Sequence, residues 1–536
     1  MKRFATLFLV FAILLPVRLV LAQTAPVIEW QKSFGGTVGE TANSVLQTTD
    51  GGFAFAGYTK SKDGDVSGNN GATDFWVVKL DAAGNLLWQQ SLGGSDHEAQ
   101  WDFQQTSDGG FIVSGQSKSA NGDISVNKGA EDYWLVKLDA AGTIIWQKTY
   151  GGSGMDEAYA AREISTGGYI VAGYSESNDG DVTGNHGEVD YWVLRLDADG
   201  NLIWQKSLGG SGEDEAYYVQ ETNDGGFVIV GESESTDGDV TGNHGEGDYW
   251  VVKLNASGYF LWQKSFGGSS VDYPRMVKQT GDGGLAIAGW TSSVDGDVTG
   301  NKGDTDYWVI KLNEAGVLQW QKCLGGSDYD FAFAIDPTAD NGFIVTGYTH
   351  SSDGDVTGHH GSTDYWLVKL DATGNLMWQK ALGGSQYDQS YSVQQAADGS
   401  YIVAGLSFSN DGDVTGNHET AMGTTQDCWI VKLSADVTGM ETIESNRFEM
   451  YPNPAQQYIR IVPEQYSMTG GLLVAFLHSE ISLIVFDATG RRISLPTSFS
   501  NNEIEINISS IMPGTYVVQF INNKSGKIEF GTFVKL

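Results

Sequence analysis

Carboxylates recur in this chain at fixed intervals and are its most abundant chemical groups. Asp63-Gly64-Asp65 opens a loop that returns as Asp179/Asp181, Asp237/Asp239, Asp295/Asp297 and Asp353/Asp355. A further acid follows each copy, at Asp74, Asp190, Asp248, Asp306 and Asp364. Two carboxylates and the backbone carbonyls of such an Asp-Gly-Asp-Val-Thr-Gly-Asn loop could hold Ca2+, which takes several hard oxygens. The spacing is not that of an EF-hand loop, which ends in a bidentate Glu. The competing reading is structural: Asp and Asn side chains cap backbone N–H groups, and Gly supplies positive φ. A second acid series, Glu40, Glu98, Asp156, Asp214, Asp272, Asp330 and Asp388, follows each of seven regularly spaced Trp residues by ten positions. These seven are expected on a strongly negative face open to a ligand.

Other chemistries are missing from the pattern. There is no nucleophile–base pair, no phosphate-cradling Gly loop and no zinc signature. His186, His244, His360 and His418 share one loop column, and one His per repeat does not converge on a metal. Catalysis needs different residues in different roles at one point. Near-identical repeats offer one role many times. No catalytic residue is assigned, and no cofactor other than Ca2+ is implied.

A repeated element must position these columns. Trp30, Trp88, Trp146, Trp204, Trp262, Trp320 and Trp378 step by 58 residues. Trp76, Trp134, Trp192, Trp250, Trp308, Trp366 and Trp429 do the same, with a last step of 63 caused by extra residues in the 419–426 region. In the copy that opens at Trp204, four strand-like runs are separated by Asn/Asp/Gly turns: 216–221, 227–232, 248–254 and 260–265. Seven such copies predict an all-β fold, a seven-bladed β-propeller of four-stranded blades over 27–435. Val27–Phe34 is a last-strand segment with nothing before it, and Ser390–Ser434 lacks a last strand. Pairing the two closes the ring by an N-terminal strand. A β-solenoid is the alternative. Alternating strand direction puts both acid-bearing loops at one end. The two Trp columns lie inside strands and are expected in the core.

Residues 1–22 read as an export signal, with Lys2 and Arg3, an apolar run, and Val20-Leu21-Ala22 before Gln23. No other stretch is long and apolar enough for a bilayer span, so no transmembrane segment is expected in the mature chain. The formal net charge is −36. Lys2, Arg3 and Arg18 all lie in the leader, so the mature chain is more acidic still. Such a surface repels nucleic acid and anionic lipid. Cys323 and Cys428 fall in separate repeats and read as two unpaired thiols. Residues 436–447 lose the periodicity and read as a linker. Residues 448–536 alternate strands with Pro/Gly turns, the pattern of a small C-terminal β-sandwich.

Two resemblances add to this reading. Val78-Lys-Leu-Asp-Ala-Ala-Gly-Asn-Leu-Leu-Trp88, Gly93-Gly94-Ser95 and Asp108-Gly-Gly-Phe-Ile-Val-Ser-Gly115 resemble the SBBP β-propeller repeat over 27–435. That resemblance implies the fold and is silent on activity. Tyr451-Pro452-Asn453-Pro454, the turn Asp487–Arg491, Pro513-Gly514-Thr515-Tyr516-Val517-Val518 and the end Phe533-Val534-Lys535-Leu536 resemble, over 448–536, the type A C-terminal sorting domain of the type IX secretion system. This implies the secretion machinery as a partner and a secreted or surface-attached location. The stretch Tyr466–Ser479 looks inserted.

The expected function is binding, by an exported module that meets a glycan or surface protein on its acidic loop face. One alternative is a polysaccharide hydrolase or lyase using acids of that face. Another is a structural surface component without ligand.

Overall fold

Each repeat folds as its turn chemistry dictates. In the segment after Leu80, Asp81 Oδ1 accepts the N–H groups of Ala83 and Asn85 at 2.9 and 2.8 Å, and Gly84 takes φ 79°. The chain reverses there, and the flanking alternating runs pair as antiparallel strands. The computed structural model describes residues 25–418, 425–436, 448–451, 455–463, 481–486, 492–493, 495–500, 503–522 and 528–535. The leader, the extra residues at 419–424, the linker 437–447 and the stretch Tyr466–Ser479 lie outside the described residues.

Thr24–Asp436 forms one compact unit and Val437–Leu536 belongs to a second. The first unit is all-β, with repeated four-stranded antiparallel sheets. In the first sheet, strands A (Glu40–Gln47), B (Phe53–Thr59), C (Asp74–Leu80) and D (Leu86–Leu92) pair in chain order. Five further sheets, with A strands opening at Glu98, Asp156, Asp214, Asp272 and Asp330, repeat this order. The seventh has Asp388–Gln395, Tyr401–Ser407 and Asp427–Leu433, completed by Ile28–Phe34 from the start of the chain. Its register pairs Trp30 with Lys432 and Phe34 with Cys428. The seventh sheet also bonds to the first: Val45 N–H donates to Ser392 Oγ at 3.1 Å, and Ala397 N–H to Gln47 Oε1 at 2.8 Å. The copy expected at 216–265 is observed as Asp214–Glu221, Phe227–Ser233, Asp248–Leu254 and Phe260–Phe266. Its A strand begins two residues early because Asp214 is itself paired, opposite Ser233.

The core lies between sheets; the B and C strands are buried along almost their whole length, and the A and D strands add residues such as Val219 and Leu208. Trp76, Trp134, Trp192, Trp250, Trp308, Trp366 and Trp429 are fully buried. Tyr249 packs against Trp308 of the next sheet with centroids 4.5 Å apart, and its Oη donates to the Trp308 carbonyl at 3.0 Å. Tyr133, Tyr191, Tyr307 and Tyr365 repeat that bond. The opening Trp residues are less enclosed. Trp88 sits on Phe111 of the following sheet and against Gly142, where an added Cβ would lie 2.9 Å from its ring. Lys79, Lys137, Lys253, Lys311, Lys369 and Lys432 bridge to an Asp of their own sheet's A–B turn. Cys323 and Cys428 are both free and buried.

In the second unit, Phe448–Tyr451, Tyr458–Pro463, Glu503–Asn507 and Thr497–Ser500 form one four-stranded sheet. Arg492–Ile493, Ile481–Phe486, Gly514–Asn522 and Ile528–Lys535 form another. Ile459, Ile504 and Ile506 of the first share a buried cluster with Val485, Tyr516 and Val518 of the second. No helix among the described residues is long and apolar enough to cross a membrane.

Candidate functional site

The acid columns are built as fasteners. Asp214 accepts Gly210 N–H at 2.8 Å and Ser235 Oγ at 2.8 Å, and it also bonds Ser233 Oγ. Glu40 likewise accepts Gly36 N–H at 2.8 Å and Thr59 Oγ1 at 2.8 Å. Glu40, Glu98, Asp156, Asp214, Asp272, Asp330 and Asp388 were expected on an open face. All seven are instead buried, at 0% exposure, because each carboxylate ties its A strand to neighbouring turn groups.

The Asp-Gly-Asp loops cap backbone in the same way. Asp63 accepts Thr37 N–H at 2.8 Å. Asp179, Asp237, Asp295 and Asp353 accept the N–H of Ser153, Ser211, Ser269 and Ser327 at 2.7 to 2.8 Å. Asp65, Asp181 and Asp355 accept from Gly35, Gly151 and Gly325 at 3.2 Å. Asp239 and Asp297 hold the equivalent place by their own N–H, each 2.8 Å from a glycine carbonyl. Asp74, Asp190, Asp248, Asp306 and Asp364 are fully buried and accept a backbone N–H on Oδ2 at 2.8 to 3.0 Å. Their Oδ1 atoms have no partner among the described residues. Each faces a carboxylate of the next sheet across a glycine: a Cβ on Gly209 would lie 2.7 Å from Asp190 Oδ1 and 2.6 Å from Asp214 Oδ2. Burial, with the facing carboxylate adding to it, pushes Asp74 up to about 6 and Asp306 to about 7. Ca2+ wants roughly six to eight oxygens. Here the Oδ1 atoms of Asp63, Asp179, Asp237, Asp295 and Asp353 are taken by N–H donors, and the five unpartnered Oδ1 atoms lie one to a sheet. Among the described residues no three acids, His or Cys converge as a metal cage. The loops therefore fit capped turns rather than a Ca2+ cage.

A different position of the repeat builds a cavity. Every A strand has a β-bulge: register shifts fall between 42/44, 100/102, 158/160, 216/218, 274/276, 332/334 and 390/392. A bulge leaves one residue unpaired and re-aims its side chain. The bulged residues are Asn43, Trp101, Tyr159, Tyr217, Arg275, Phe333 and Tyr391, one per sheet, and all line one cavity of about 430 Å3. They form a belt. Trp101 stacks on Tyr159 at 4.9 Å and 7°, Tyr159 meets Tyr217 edge-on at 5.1 Å, and Phe333 meets Tyr391 at 5.0 Å. Arg275 lies 5.2 Å from the Tyr217 centroid and 4.8 Å from that of Phe333.

Toward the A–B turns the cavity wall is charged. Arg162 bonds both oxygens of Asp102, with Nη2 at 3.0 Å from Oδ1, and donates to Tyr218 Oη at 2.8 Å. Lys278 Nζ is 3.9 Å from Asp336 Oδ1. Burial alone would raise the Tyr218 phenol, but Arg162 and Lys278 on either side lower it. Gln104 and Gln394, at the same repeat position as Arg162 and Lys278, accept N–H bonds from neighbouring sheets at 2.8 and 2.6 Å. Two of the seven sheets thus give up an intersheet bond and hold a cation there.

On the loop side of the belt the sheets also differ. Cross-strand pairs there are Glu157/Tyr174, Glu215/Glu232, Tyr273/Trp290 and Phe331/Tyr348 in sheets three to six. Burial pushes Glu157 up to about 7, and burial with Glu215 pushes Glu232 up to about 8. Acid-bearing pairs in sheets three and four are therefore followed by aromatic pairs in sheets five and six. The reading of identical columns missed all of these residues. The signal was the reverse one, a repeat position at which the seven copies disagree in chemical type.

Residues 449–530 match the family model described as the secretion system C-terminal sorting domain. The C-terminal unit is such a domain, and the protein is exported by type IX secretion to the cell surface or beyond. The regulatory protein FlaEY of Caulobacter vibrioides is 26% identical over 433 residues, which are 69% of this chain and 43% of that protein. The chain thus spans less than half the length of this curated relative. Among solved structures, puromycin hydrolase is similar at 10% identity, covering 85% of this chain and 62% of that one, with a TM-score of 0.40. PorZ, a surface component of the type IX secretion system of Porphyromonas gingivalis, is similar at 10% identity, covering 97% and 88%, with a TM-score of 0.19.

Proposed function

We propose that this is an exported binding protein whose seven sheets close into a propeller around a channel, and whose ligand sits in the cavity bounded by the belt. In this reading the strand Ile28–Phe34 seals the ring, and the two C-terminal sheets form the sandwich that addresses the chain for export. The carrying observation is the asymmetry at the bulge. Sheets that agree at nearly every core position present Trp, Tyr, Arg, Phe and Asn at this one. A purely structural ring has no use for that variety, whereas a ligand with distinct sides does. The cavity of about 430 Å3 falls within the range of small-ligand sites, roughly 300–1,000 Å3. Ring surface and polar groups together suit a sugar unit of a glycan.

The test is a glycan array, with solubilised cell-surface material beside it, read with the exported protein and its Trp101→Ala variant. Trp101 carries ring surface in the belt and is only half-buried, so its loss should abolish binding without unfolding the sheet. Binding that survives in the variant would reject the channel as the site.

A hydrolase or lyase is the second reading, favoured by the Glu215/Glu232 pair. A carboxyl that burial keeps protonated, as at Glu232, can serve as a general acid beside a second carboxyl. It requires that Glu232→Gln abolish turnover of a bound glycan while leaving its binding intact.

A further inference from the structure

Arg275 is unlike the other cations of the cavity. Arg162 is committed to Asp102 and Tyr218, and Lys278 stands beside Asp336. Arg275 has no hydrogen bond and no ion pair among the described residues; the rings of Tyr217, Tyr273 and Phe333 lie at 5.2, 5.5 and 4.8 Å, and its charge acts from a distance on the buried Glu215 and Glu232 without a direct contact. Rings hold a guanidinium by its charge but accept none of its five N–H donors. The half-buried side chain therefore brings an unspent planar fork to the cavity. Such a fork matches a carboxylate in two parallel bonds, and in a partly desolvated place that pairing is among the stronger ones.

The rest of the cavity narrows the ligand further. Trp101 and Tyr159 form a continuous stacked surface. The polar ends of Tyr217 and Tyr391 are spent on Glu215 and Gln389, at 2.5 and 2.8 Å. What those residues offer a ligand is ring surface. The Oε1 atoms of Gln104 and Gln394 serve neighbouring sheets, while their amide N–H groups have no partner among the described residues. Ring surface suits C–H faces, scattered free donors suit hydroxyl groups, and the single uncommitted cation suits one negative charge.

Resting on the channel-binding reading above, we propose that the ligand is an acidic glycan, with the carboxylate of one hexuronate unit on Arg275 and its sugar face on the belt. The site is local and cationic within a very acidic chain. Simple charge attraction to the surface would select the opposite class of ligand.

The experiment is calorimetric titration of the whole exported protein with trigalacturonate and with the neutral trimer made by reducing its carboxyl groups. Trigalacturonate should bind at least about tenfold more tightly than the neutral trimer. Arg275→Met should lose that preference, and Arg275→Lys, which keeps the charge without the fork, should fall between. Thermal unfolding of each variant is read in parallel. If Arg275→Met does not fold, the Lys variant and the two-ligand comparison decide. Equal affinity for both trimers would overturn the carboxylate assignment and leave the channel reading intact. If neither trimer binds, the hexuronate assignment falls; the channel reading then stands only if another glycan's binding is lost in Trp101→Ala.

Discussion

Glu215 and Glu232 lie directly opposite each other on paired antiparallel strands, with no ion-pair partner among the described residues. Like charges in that position destabilise a sheet. Burial raises both carboxyls; Glu213 adds to it at Glu215, and Glu215 adds to it at Glu232, which is pushed up to about 8 although the Arg275 charge opposes the shift at both. The sign follows from linkage: the folded state holds a proton that the unfolded chain releases from about pH 4.5, so stability falls as pH rises toward 8. Glu232→Gln should therefore raise the melting temperature, more at about pH 8.5 than at about pH 5. A gain independent of pH would mean that the pair is not the source. At Trp101, truncation to Ala should cost little stability because the residue is half-buried in the belt, yet it should cost most of the ligand affinity. Arrayed glycans measure the second effect and thermal unfolding the first.

At the scale of the strand, the bulge is made possible by a glycine across from it. A Cβ on Gly231 would lie 1.9 Å from the Glu215 carbonyl oxygen, and one on Gly289 would lie 2.0 Å from that of Tyr273. The backbone cannot yield there without losing the bulge that aims Tyr217 or Arg275. Gly231→Ala should destabilise the sheet unit by about 3 kcal/mol, the upper end of overpacking costs, measured by denaturant unfolding. A cost below about 1 kcal/mol would show that the bulge is not fixed by this contact. The four strands and their turns were legible because alternation and Gly/Asp turns act locally, and the strand Ile28–Phe34 that completes the seventh sheet was legible as a last-strand segment with nothing before it. The bulge was not, since one extra residue in a strand leaves the period of 58 unchanged. Carboxylates such as Asp214 and Asp248 were legible as columns but not as buried. Whether an acid faces water or a turn's N–H groups depends on how neighbouring sheets meet.

Across the whole molecule the buried acids make a collective prediction. Asp74, Asp132, Asp214, Asp272, Asp388 and Asp427 are pushed up to about 6, chiefly by burial. Protons held by the folded state above the ordinary carboxylate range mean that stability drops as pH rises from about 4 to about 7. Asp108, Asp224 and Asp282, beside their lysines, are held at about 2 despite partial burial, so stability drops again below about pH 4. The melting temperature should be higher at about pH 5 than at about pH 8. A chelator should leave it unchanged at neutral pH, because among the described residues no cage converges on a cation. A maximum at alkaline pH, or a fall with chelator, would mean that a bound cation keeps the facing pairs ionised.

The proposed site is the cavity bounded by the belt, not the acidic loops. The most direct measurement is hydroxyl-radical footprinting of the exported protein, free and saturated with its best glycan, because aromatic side chains report their own exposure. Protection should centre on Trp101, Tyr159, Phe333 and Tyr391, and the loops from Asp63 and Asp237 should be unchanged. Protection confined to those loops, with the belt as reactive as in the free protein, would contradict it.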